Sequence, residues 1–308
     1  MTRAVVFAYH NVGVRCLKTL LGRQVDVPLV ITHEDNPREQ IWFDNVAATA
    51  AEYGIATIAP ADPNSGDVVA RVADCRPDFV FSFYYRAMLK APLLALPARG
   101  ALNMHGSLLP RYRGRVPVNW AIIHGETETG ATLHYMIEKP DAGDIVAQTA
   151  VPILPDDTAR EVFDKVTVAA EMTLHAALPA LIAGTAARTR QDPRCATYFG
   201  GRTPEDGIID WSRDAASIHN LVRAVAPPYP GARTKLDNRP ARILRTRILD
   251  AGAAPTPTPL LTVERDRIVA HCGGGGRLTV INLEVDGVRV SPGEFAGRFG
   301  TSAVAIGA

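Results

Sequence analysis

The sequence predicts a doubly wound α/β domain with a mostly parallel, Rossmann-like sheet, followed by a small antiparallel β-barrel that is OB-like. The first domain is indicated by short continuous apolar runs, such as AVVFA at 4–8, which alternate with longer helical patterns. Strands of this kind are buried on both faces, which requires helices on both sides of a parallel sheet. The barrel is indicated by short β-like runs with regular turns after residue 240.

In the first third of the chain, the predicted strands and helices follow one another in order. Each strand is a short apolar run, and each helix carries apolar residues at helical spacing. Strands are predicted at residues 4–8, 27–32, 55–59, 79–83 and 101–104, and helices at residues 12–21, 39–53 and 68–73.

The next stretch predicts a short helix and a pair of strands. Pro117 suits the first turn of a helix over 116–124, where a missing N–H is tolerated. Strands are predicted at 131–137 and 145–151, and the turn KPDAGD at 139–144 joins them.

A long helix is predicted to begin at Asp157 and Thr158 and to end near Ala183, before Gly184. Pro179 lies inside this span and predicts a kink or an early end to its regular part.

Residues 185–205 lose all periodicity and are the predicted linker between a catalytic domain at 1–184 and a barrel domain at 206–308. A helix at 215–226 and a Pro-rich turn at 227–232 open the second domain. Barrel strands are predicted at residues 241–244, 260–263, 267–270, 278–283 and 288–290, with a glycine turn at 273–276.

The composition is that of a soluble globular protein. Of 308 residues, 47% are hydrophobic and 21% are charged, and the net charge of +1 provides no overall field for nucleic acid or an anionic membrane. The N-terminal apolar run is too short for a signal peptide, and the apolar runs indicate no membrane span. The cysteines lack the spacing of a disulfide framework or zinc site, so we expect a cytoplasmic protein. They are Cys16, Cys75, Cys195 and Cys272.

Two polar side chains stand at the end of the strand predicted at 101–104. Asn103 and His105 are two positions apart, so both side chains project on the same side of the strand. They lie at its carboxyl end, where ligands bind in open α/β sheets. A local role, in which His105 caps a turn and Asn103 satisfies nearby backbone, is the alternative for an isolated pair of this kind.

Cations and a carboxylate follow this pair along the chain. Arg111, Arg113 and Arg115 are crowded into five positions of a loop that Pro and Gly residues hold extended. Asp141 lies in the tight turn KPDAGD, although an Asp in a turn also serves local hydrogen bonding alone. The first βα turn, AYHNVG, contains no GxGxxG, which disfavours a dinucleotide-dependent dehydrogenase.

Together these segments resemble the folate-dependent formyltransferase family. The likeness rests on Asn103-x-His105, on the SLLPRYRGRVP segment after it and on the Asp-Ala-Gly turn at Asp141, which occur in the family's order and spacing. A narrower likeness, carried by FAYHNVG, FSFYYR and DAGDIVAQ, is to the members that formylate UDP-4-amino-4-deoxy-L-arabinose. It covers residue 4 to about residue 235, and Met104 departs from the family's usual aliphatic residue.

The resemblance implies a mechanism without a metal ion. Transfer of the formyl group of 10-formyltetrahydrofolate to an amine passes through a tetrahedral oxyanion. Asn103 would stabilise the oxyanion, and His105 would move the proton from the attacking amine to the leaving folate nitrogen. Asp141 would favour the imidazolium form of His105.

The resemblance also implies where the two ligands bind. The folate would lie on the loop after the fourth strand and on the turn at Asp141, and arginines would hold the diphosphate of a sugar nucleotide. The predicted folate-binding residues are Ala87, Met88, Leu89, Ile137, Glu138, Lys139, Pro140 and Asp141, and the predicted substrate-binding residues are Arg115, then Arg113, with Arg202 as a weaker candidate.

The expected acceptor is UDP-4-amino-4-deoxy-L-arabinose, which would place the enzyme in lipid A modification and polymyxin resistance. Other amino-sugar nucleotides are alternatives, and so is charged initiator tRNA, but residues 203–308 carry only 13 Lys and Arg against 11 Asp and Glu. A domain that grips an RNA backbone should be much more basic. A formate-releasing hydrolase and a non-catalytic nucleotide-binding protein are the other classes. The sequence fixes no oligomeric state.

Overall fold

The computed structural model describes residues 1–37, 39–300 and 304–307. They divide into two compact units of three chain segments each, and the last boundary between them, at Gly200 and Gly201, lies within the predicted linker 185–205. The first unit comprises Met1–Pro117, Glu128–Val151 and Phe163–Gly200, and the second comprises Val118–Thr127, Pro152–Val162 and Gly201–Ala308.

The first unit is an α/β fold, as the sequence predicts. Its strands are β1 (Arg3–Ala8), β2 (Asp26–Ile31), β3 (Ala56–Ile58), β4 (Phe79–Phe83), β5 (Ala101–His105), β6 (Arg113–Gly114), β7 (Glu128–Tyr135), β8 (Ile145–Pro152) and β9 (Tyr198–Phe199). The helices of the chain are α1 (His10–Gly22), α2 (Val46–Glu52), α3 (Gly66–Asp74), α4 (Ala91–Leu94), α5 (Pro117–Ile123), α6 (Ala159–Ala183), α7 (Ala215–Ala224) and α8 (Pro292–Phe299).

The main sheet has the strand order β3-β2-β1-β4-β5-β7-β8. The strands from β3 to β5 are parallel, and β7 runs antiparallel to β5. The chain moves outward from β1 to β3 and then crosses over to β4 on the other side. This reversal of strand order opens a crevice at the carboxyl ends of the central strands.

The core of the first unit lies on the two faces of this sheet. Residues 4–8 of β1 are fully buried, as are Val80, Phe81 and Phe83 of β4. An apolar strand that is covered on both faces contributes both sets of its side chains to the core, and about 1.5–3 kcal/mol accompanies each large side chain that is removed from water. These strands fix the positions of the loops that follow them.

The helix predicted at 39–53 was wrong at its start. It begins only at Val46, because the Asn45 side chain accepts a hydrogen bond from the backbone N–H of Ala48 and caps it. Ahead of the cap, Phe43 stacks on His10 with ring centroids 3.9 Å apart. Aromatic packing therefore holds the residues before Asn45 outside the helix.

Helix α6 is long and apolar enough to cross a membrane by length and composition, a property that the apolar runs of the sequence did not indicate. Half of the most apolar 18-residue stretch of this helix is buried inside the protein, as in a helix that packs against the core of its own domain. Pro179 lies within the helix, which nevertheless continues to Ala183. The helix begins after Thr158, whose backbone N–H donates to Glu161 Oε2, so the predicted start is confirmed within a residue.

The second unit contains the predicted barrel. A sheet of order β11-β10-β16-β12-β13-β14 closes through pairing of β11 with β14 into a six-stranded antiparallel barrel, and β15 extends it from β14. Its strands are β10 (Ala232–Leu236), β11 (Arg239–Asp250), β12 (Leu260–Glu264), β13 (Arg267–His271), β14 (Arg277–Val285), β15 (Val288–Val290) and β16 (Val304–Gly307).

Candidate active site

The carboxyl end of β5 brings together the three side chains that the sequence singled out. Asn103 and His105 lie on the same side of this strand, and the turn after β7 places Asp141 Oδ1 3.6 Å from Nδ1 of His105. A fourth side chain joins them, because the antiparallel register sets His134 of β7 directly opposite Asn103. An amide, two imidazoles and a carboxylate thus converge within the first unit.

The tautomer of His105 follows from its neighbours. Its Nε2 lies 2.8 Å from the backbone carbonyl of Tyr112, and a carbonyl oxygen only accepts, so Nε2 carries a hydrogen. Nδ1, on the side of Asp141, is then the atom that can take up a proton. Once protonated, it would face the carboxylate as an ion pair.

His134 links the amide to the carboxylate. Its Nδ1 donates to the carbonyl of Tyr135 at 2.9 Å, so in the neutral ring Nε2 accepts from Asn103 Nδ2 at 3.2 Å. The same Nε2 lies 3.5 Å from Asp141 Oδ1. This contact orients the Asn103 side chain and leaves its second amide N–H available to a ligand.

Asp141 is held as a carboxylate although it is largely buried. Burial by itself raises the pKa of this group. The imidazoles of His105 and His134 oppose this by their positive charge when they are protonated, and the protonated His134 also by a hydrogen bond; the backbone N–H of Gly114, which donates to Oδ2 at 2.9 Å, opposes it as well. Together they hold the pKa of Asp141 well below its usual range. The group is therefore ionised at neutral pH.

Left-handed backbone conformations accumulate around these side chains. Tyr112, Val116 and Asp141 have φ values of +58°, +46° and +52°, and Tyr84 at the end of β4 has +56°. Non-glycine residues seldom adopt this region, and a β-branched residue such as valine does so least readily. Strain of this kind persists where the surrounding structure imposes it, which is characteristic of functional sites.

Tyr84 packs tightly beside the carboxyl end of β5. A methyl group added at Gly106, the residue after His105, would collide with the Tyr84 hydroxyl. Glycine at this position therefore lets the phenol reach the edge of the site.

The loop after β4 contains the predicted folate contacts at Ala87, Met88 and Leu89. Leu89 is buried in the core, whereas Met88 is 54% exposed. Asn64 holds this loop from the side, because its Nδ2 donates to the carbonyl of Met88 at 2.9 Å and its Oδ1 accepts from the N–H of Lys90 at 2.8 Å.

The turn after β7 contains the other predicted folate contacts. Ile137 is 49% exposed, and the residues that follow it, Glu138, Lys139 and Pro140, are exposed as well. Both predicted folate segments therefore present a large apolar side chain to solvent, at Met88 and at Ile137.

The three predicted substrate arginines have different surroundings. Arg115 is exposed and has no acidic partner among the described residues; its Nη2 reaches the carbonyl of Arg86 at 3.5 Å. Arg202 belongs to the second unit, where its Nε is buried without a hydrogen-bond acceptor among the residues that the structure describes. Burial lowers the pKa of Arg202, and the charge of Asp206 opposes this shift.

Arg113 does not fit the predicted contact with a substrate phosphate. It is only 3% exposed, and its guanidinium donates to Gln191 Oε1 at 2.6 and 3.2 Å and to the Tyr198 hydroxyl at 2.6 Å. A cation that is buried and already bonded on both sides is not available to a ligand. We therefore correct its role to one within the protein.

Sequence reasoning missed His134 and Gln191. His134 lies in a buried strand, and only the register of β7 against β5 shows that it faces Asn103. Gln191 lies in the stretch without periodicity that was interpreted as a linker. Spacing in the sequence signals neither residue. Among the described residues, no group of three or more His, Cys, Asp or Glu side chains is arranged to hold a metal ion.

An amide and a protonatable imidazole at one site suit an enzyme that transfers a carbonyl-containing group. Residues 4–178 match the sequence family described as formyl transferase, and residues 202–299 match the formyl transferase C-terminal domain. The first match alone spans more than half of the chain. The chain therefore belongs to the formyl transferase family.

Solved structures share this architecture. An N-formyltransferase from Helicobacter canadensis, in complex with folinic acid and dTDP-3-aminofucose, has a TM-score of 0.72 at 19% identity, covering 91% of this chain and 99% of that one. A sugar N-formyltransferase from a Shewanella species has a TM-score of 0.62 at 20% identity; the match covers 79% of this chain and 96% of that one. HypX from Aquifex aeolicus, in complex with tetrahydrofolic acid, has a TM-score of 0.64 at 17% identity; the match covers 96% of this chain and 47% of HypX. At these identities the likeness shows the fold.

Proposed function

We propose that this formyltransferase moves the formyl group of 10-formyltetrahydrofolate to the amino group of a nucleotide-linked amino sugar. The observation that carries the proposal is the contact network of Asn103, His105 and Asp141 at the carboxyl end of β5. The network supplies an N–H donor, a proton carrier and a fixed negative charge, which are the groups that this reaction needs.

The reaction balances with these groups alone. The amine nitrogen bonds to the formyl carbon and forms a tetrahedral oxyanion, which the free N–H of Asn103 stabilises. His105 receives the proton that the attacking amine loses and delivers it to the folate nitrogen as the carbon–nitrogen bond to folate breaks. Asp141 stabilises the imidazolium that forms in between. The products are a formamide and tetrahydrofolate, and no step uses a metal ion.

The folate is proposed to lie on the loop after β4 and on the turn at Asp141. The exposed apolar side chains of Met88 and Ile137 suit the faces of a pterin ring, and neighbouring backbone groups suit its polar edge. The likeness to structures solved with folinic acid and with tetrahydrofolic acid supports a folate cosubstrate. The proposed contacts are Ala87, Met88, Leu89 and Ile137–Asp141.

The acceptor is proposed to be a sugar nucleotide, with UDP-4-amino-4-deoxy-L-arabinose first. The Helicobacter canadensis structure with dTDP-3-aminofucose supports the chemical class, and the sequence resemblance supports the particular sugar. Arg115, exposed and without an acidic partner among the described residues, and Arg202 are the proposed contacts for the diphosphate. A role in lipid A modification and polymyxin resistance follows from that acceptor, and a cytoplasmic location stays a prediction.

The acceptor is tested by competition. The enzyme is given 10-formyltetrahydrofolate with equal concentrations of UDP-4-amino-4-deoxy-L-arabinose, dTDP-linked 3-amino sugars and charged initiator tRNA, and the formylated products are quantified by mass spectrometry. We expect the UDP sugar to be formylated fastest. Preference for a dTDP sugar would show that the proposed nucleotide and sugar are wrong. Preference for the tRNA would refute the proposed class of acceptor but not the proposed formyl transfer.

A further inference from the structure

The segment 189–199, which the sequence marks as a linker, packs against both parts of the active site. It forms a parallel pair with the loop that follows His105: the backbone N–H groups of Arg113 and Arg115 donate to the carbonyls of Thr197 and Phe199, each at 2.9 Å. The N–H of Tyr112 donates to the Thr197 hydroxyl at 2.8 Å.

The loop residues that this segment pairs with are the ones that touch the catalytic side chains. Tyr112 supplies the carbonyl that accepts from His105 Nε2, and Gly114 supplies the N–H that donates to Asp141 Oδ2. Both lie within the stretch that the segment 189–199 holds. The position of this segment is therefore coupled to the geometry of the imidazole and of the carboxylate.

Gln191 makes the most direct connection. Its side chain is buried, and its Nε2 donates to the carbonyls of Asp141 at 2.8 Å and of Gly143 at 2.6 Å. Its Oε1 accepts from the buried guanidinium of Arg113. The nitrogen of this amide thus holds the backbone of the Asp141 turn, and its oxygen holds the buried guanidinium of Arg113.

We infer that Gln191 is a positioning residue for formyl transfer, which acts by holding the Asp141 turn at its left-handed backbone conformation. The residues before Asp141, Glu138–Pro140, are exposed, so they provide little packing to fix the turn. Without Gln191, two backbone carbonyls lose their donor, and the distance of the carboxylate from His105 is no longer set from this side. The inference rests on the proposed function, because Asp141 must act in that reaction.

The test uses Gln191→Glu, with the chemically matched exposed Gln24→Glu as control. The glutamate keeps the length of the side chain and an acceptor for Arg113, but it loses the N–H groups that bond to Asp141 and Gly143. We expect kcat for the formylated product to fall 10- to 100-fold, because a displacement of about 1 Å has effects of that size. We expect KM for folate and for the amino sugar to change less than threefold.

A second measurement separates positioning from general damage. If Gln191 acts through Asp141, then Gln191→Glu should lower kcat less than threefold further in an Asp141→Asn background. Circular dichroism checks that each variant is folded; if Gln191→Glu does not fold, Gln191→Asn, whose amide is one carbon too short for both carbonyls, replaces it. The control should retain the wild-type kcat.

Three results would overturn the inference. They are a folded Gln191 variant with wild-type kcat, a loss confined to KM, and a loss of equal size with and without Asp141→Asn. The wild-type enzyme, measured in the same assay, tests the proposed function separately. If the wild type transfers no formyl group to any offered amine, the proposed function fails and the inference fails with it.

Discussion

At the scale of single residues, the chemistry converges on Asp141. Its Oδ1 lies within 3.6 Å of two imidazoles, and its Oδ2 accepts from Gly114. The backbone φ of +52° suits only a few residue types, of which asparagine is one. Asp141→Asn therefore preserves the turn and removes the charge, which makes it the cleanest probe of the carboxylate.

We predict that Asp141→Asn lowers the free energy of unfolding by about 1–3 kcal/mol at pH 7, the usual consequence of removing a buried hydrogen-bonded charge. Because the pKa of Asp141 in the folded protein lies below its value of about 4 in the unfolded chain, the carboxylate stabilises the fold above pH 4. That contribution is lost as the pH falls below 4. Urea denaturation at pH 7 and at pH 3 measures both differences, and an unchanged difference would contradict this account.

The sequence predicted part of this site. Asn103 and His105 could be placed together because residues two apart on a strand share a face, and Asp141 followed from a family resemblance. His134 could not be placed, because it lies 31 positions after Asn103 in the sequence and only the register of β7 against β5 brings the two residues together. The burial of Arg113 was equally hidden, because a run of alternating arginines normally indicates a solvated loop.

At the scale of elements, the short pairing of β6 with β9 has the largest effect on the site. Gly114 in β6 has a φ of +98°, and a methyl group there would collide with the carbonyl oxygen of Phe199 in β9. Only glycine combines this backbone conformation with so close an approach of the two chains. The N–H that binds Asp141 is therefore placed by a residue that tolerates no side chain.

We predict that Gly114→Ala separates β6 from β9 and lowers kcat about 10- to 100-fold, because the donor to Asp141 moves away. Gly200→Ala is the matched control, since it lies one residue after β9 and a methyl group there would meet nothing within 4 Å. Steady-state kinetics of the two variants compare them directly. Equal activities would show that the pairing does not set the site.

A buried histidine in α7 predicts that the stability of the second unit depends on pH. His219 donates from Nε2 to the carbonyl of Pro155 at 2.9 Å and accepts at Nδ1 from the Thr246 hydroxyl at 2.8 Å. Burial lowers its pKa below 6.5. The hydrogen bond to the Pro155 carbonyl and, less strongly, the carboxylate of Asp156 oppose the shift, whereas the charges of Arg223 and Arg247 add to it.

Because the folded pKa of His219 is depressed, the unfolded chain binds the proton more readily as the pH falls through about 6.5. We predict that the second unit is less stable at pH 5.5 than at pH 7.5. His219→Gln should remove much of this pH dependence while lowering stability at pH 7.5. Denaturation of both proteins at the two pH values is the measurement, and a pH dependence that survives the substitution would assign it to other groups.

The elements were predicted where burial is reflected in composition and missed where it is not. The apolar strands of the main sheet were confirmed, but β10, with the sequence ARTKL, exposes polar side chains on one face and was overlooked. Only 241–244 of β11 was predicted, because its outward positions carry arginines. The closing strand β16 is four residues long and pairs with β10 and β12, which sequence pattern alone does not show.

At the scale of the whole molecule, the two family matches fall largely within the two units, with the change between them near residue 201. The first unit contains the amide, the imidazoles and the carboxylate. The near-neutral charge of residues 203–308 argues against a nucleic acid as the acceptor. All the side chains to which the proposed formyl transfer assigns a chemical role therefore belong to the first unit.

The central claim is that Asn103 stabilises the oxyanion of a formyl transfer to an amine. The most direct test is the rate at which tetrahydrofolate forms together with formylated amino sugar, for the wild type and for folded Asn103→Ala. We predict that both products appear in equal amounts, only when the amine is present, and about 100- to 1000-fold more slowly in the variant. Undiminished turnover by Asn103→Ala, or formate release by the wild type without an amine, would contradict the account.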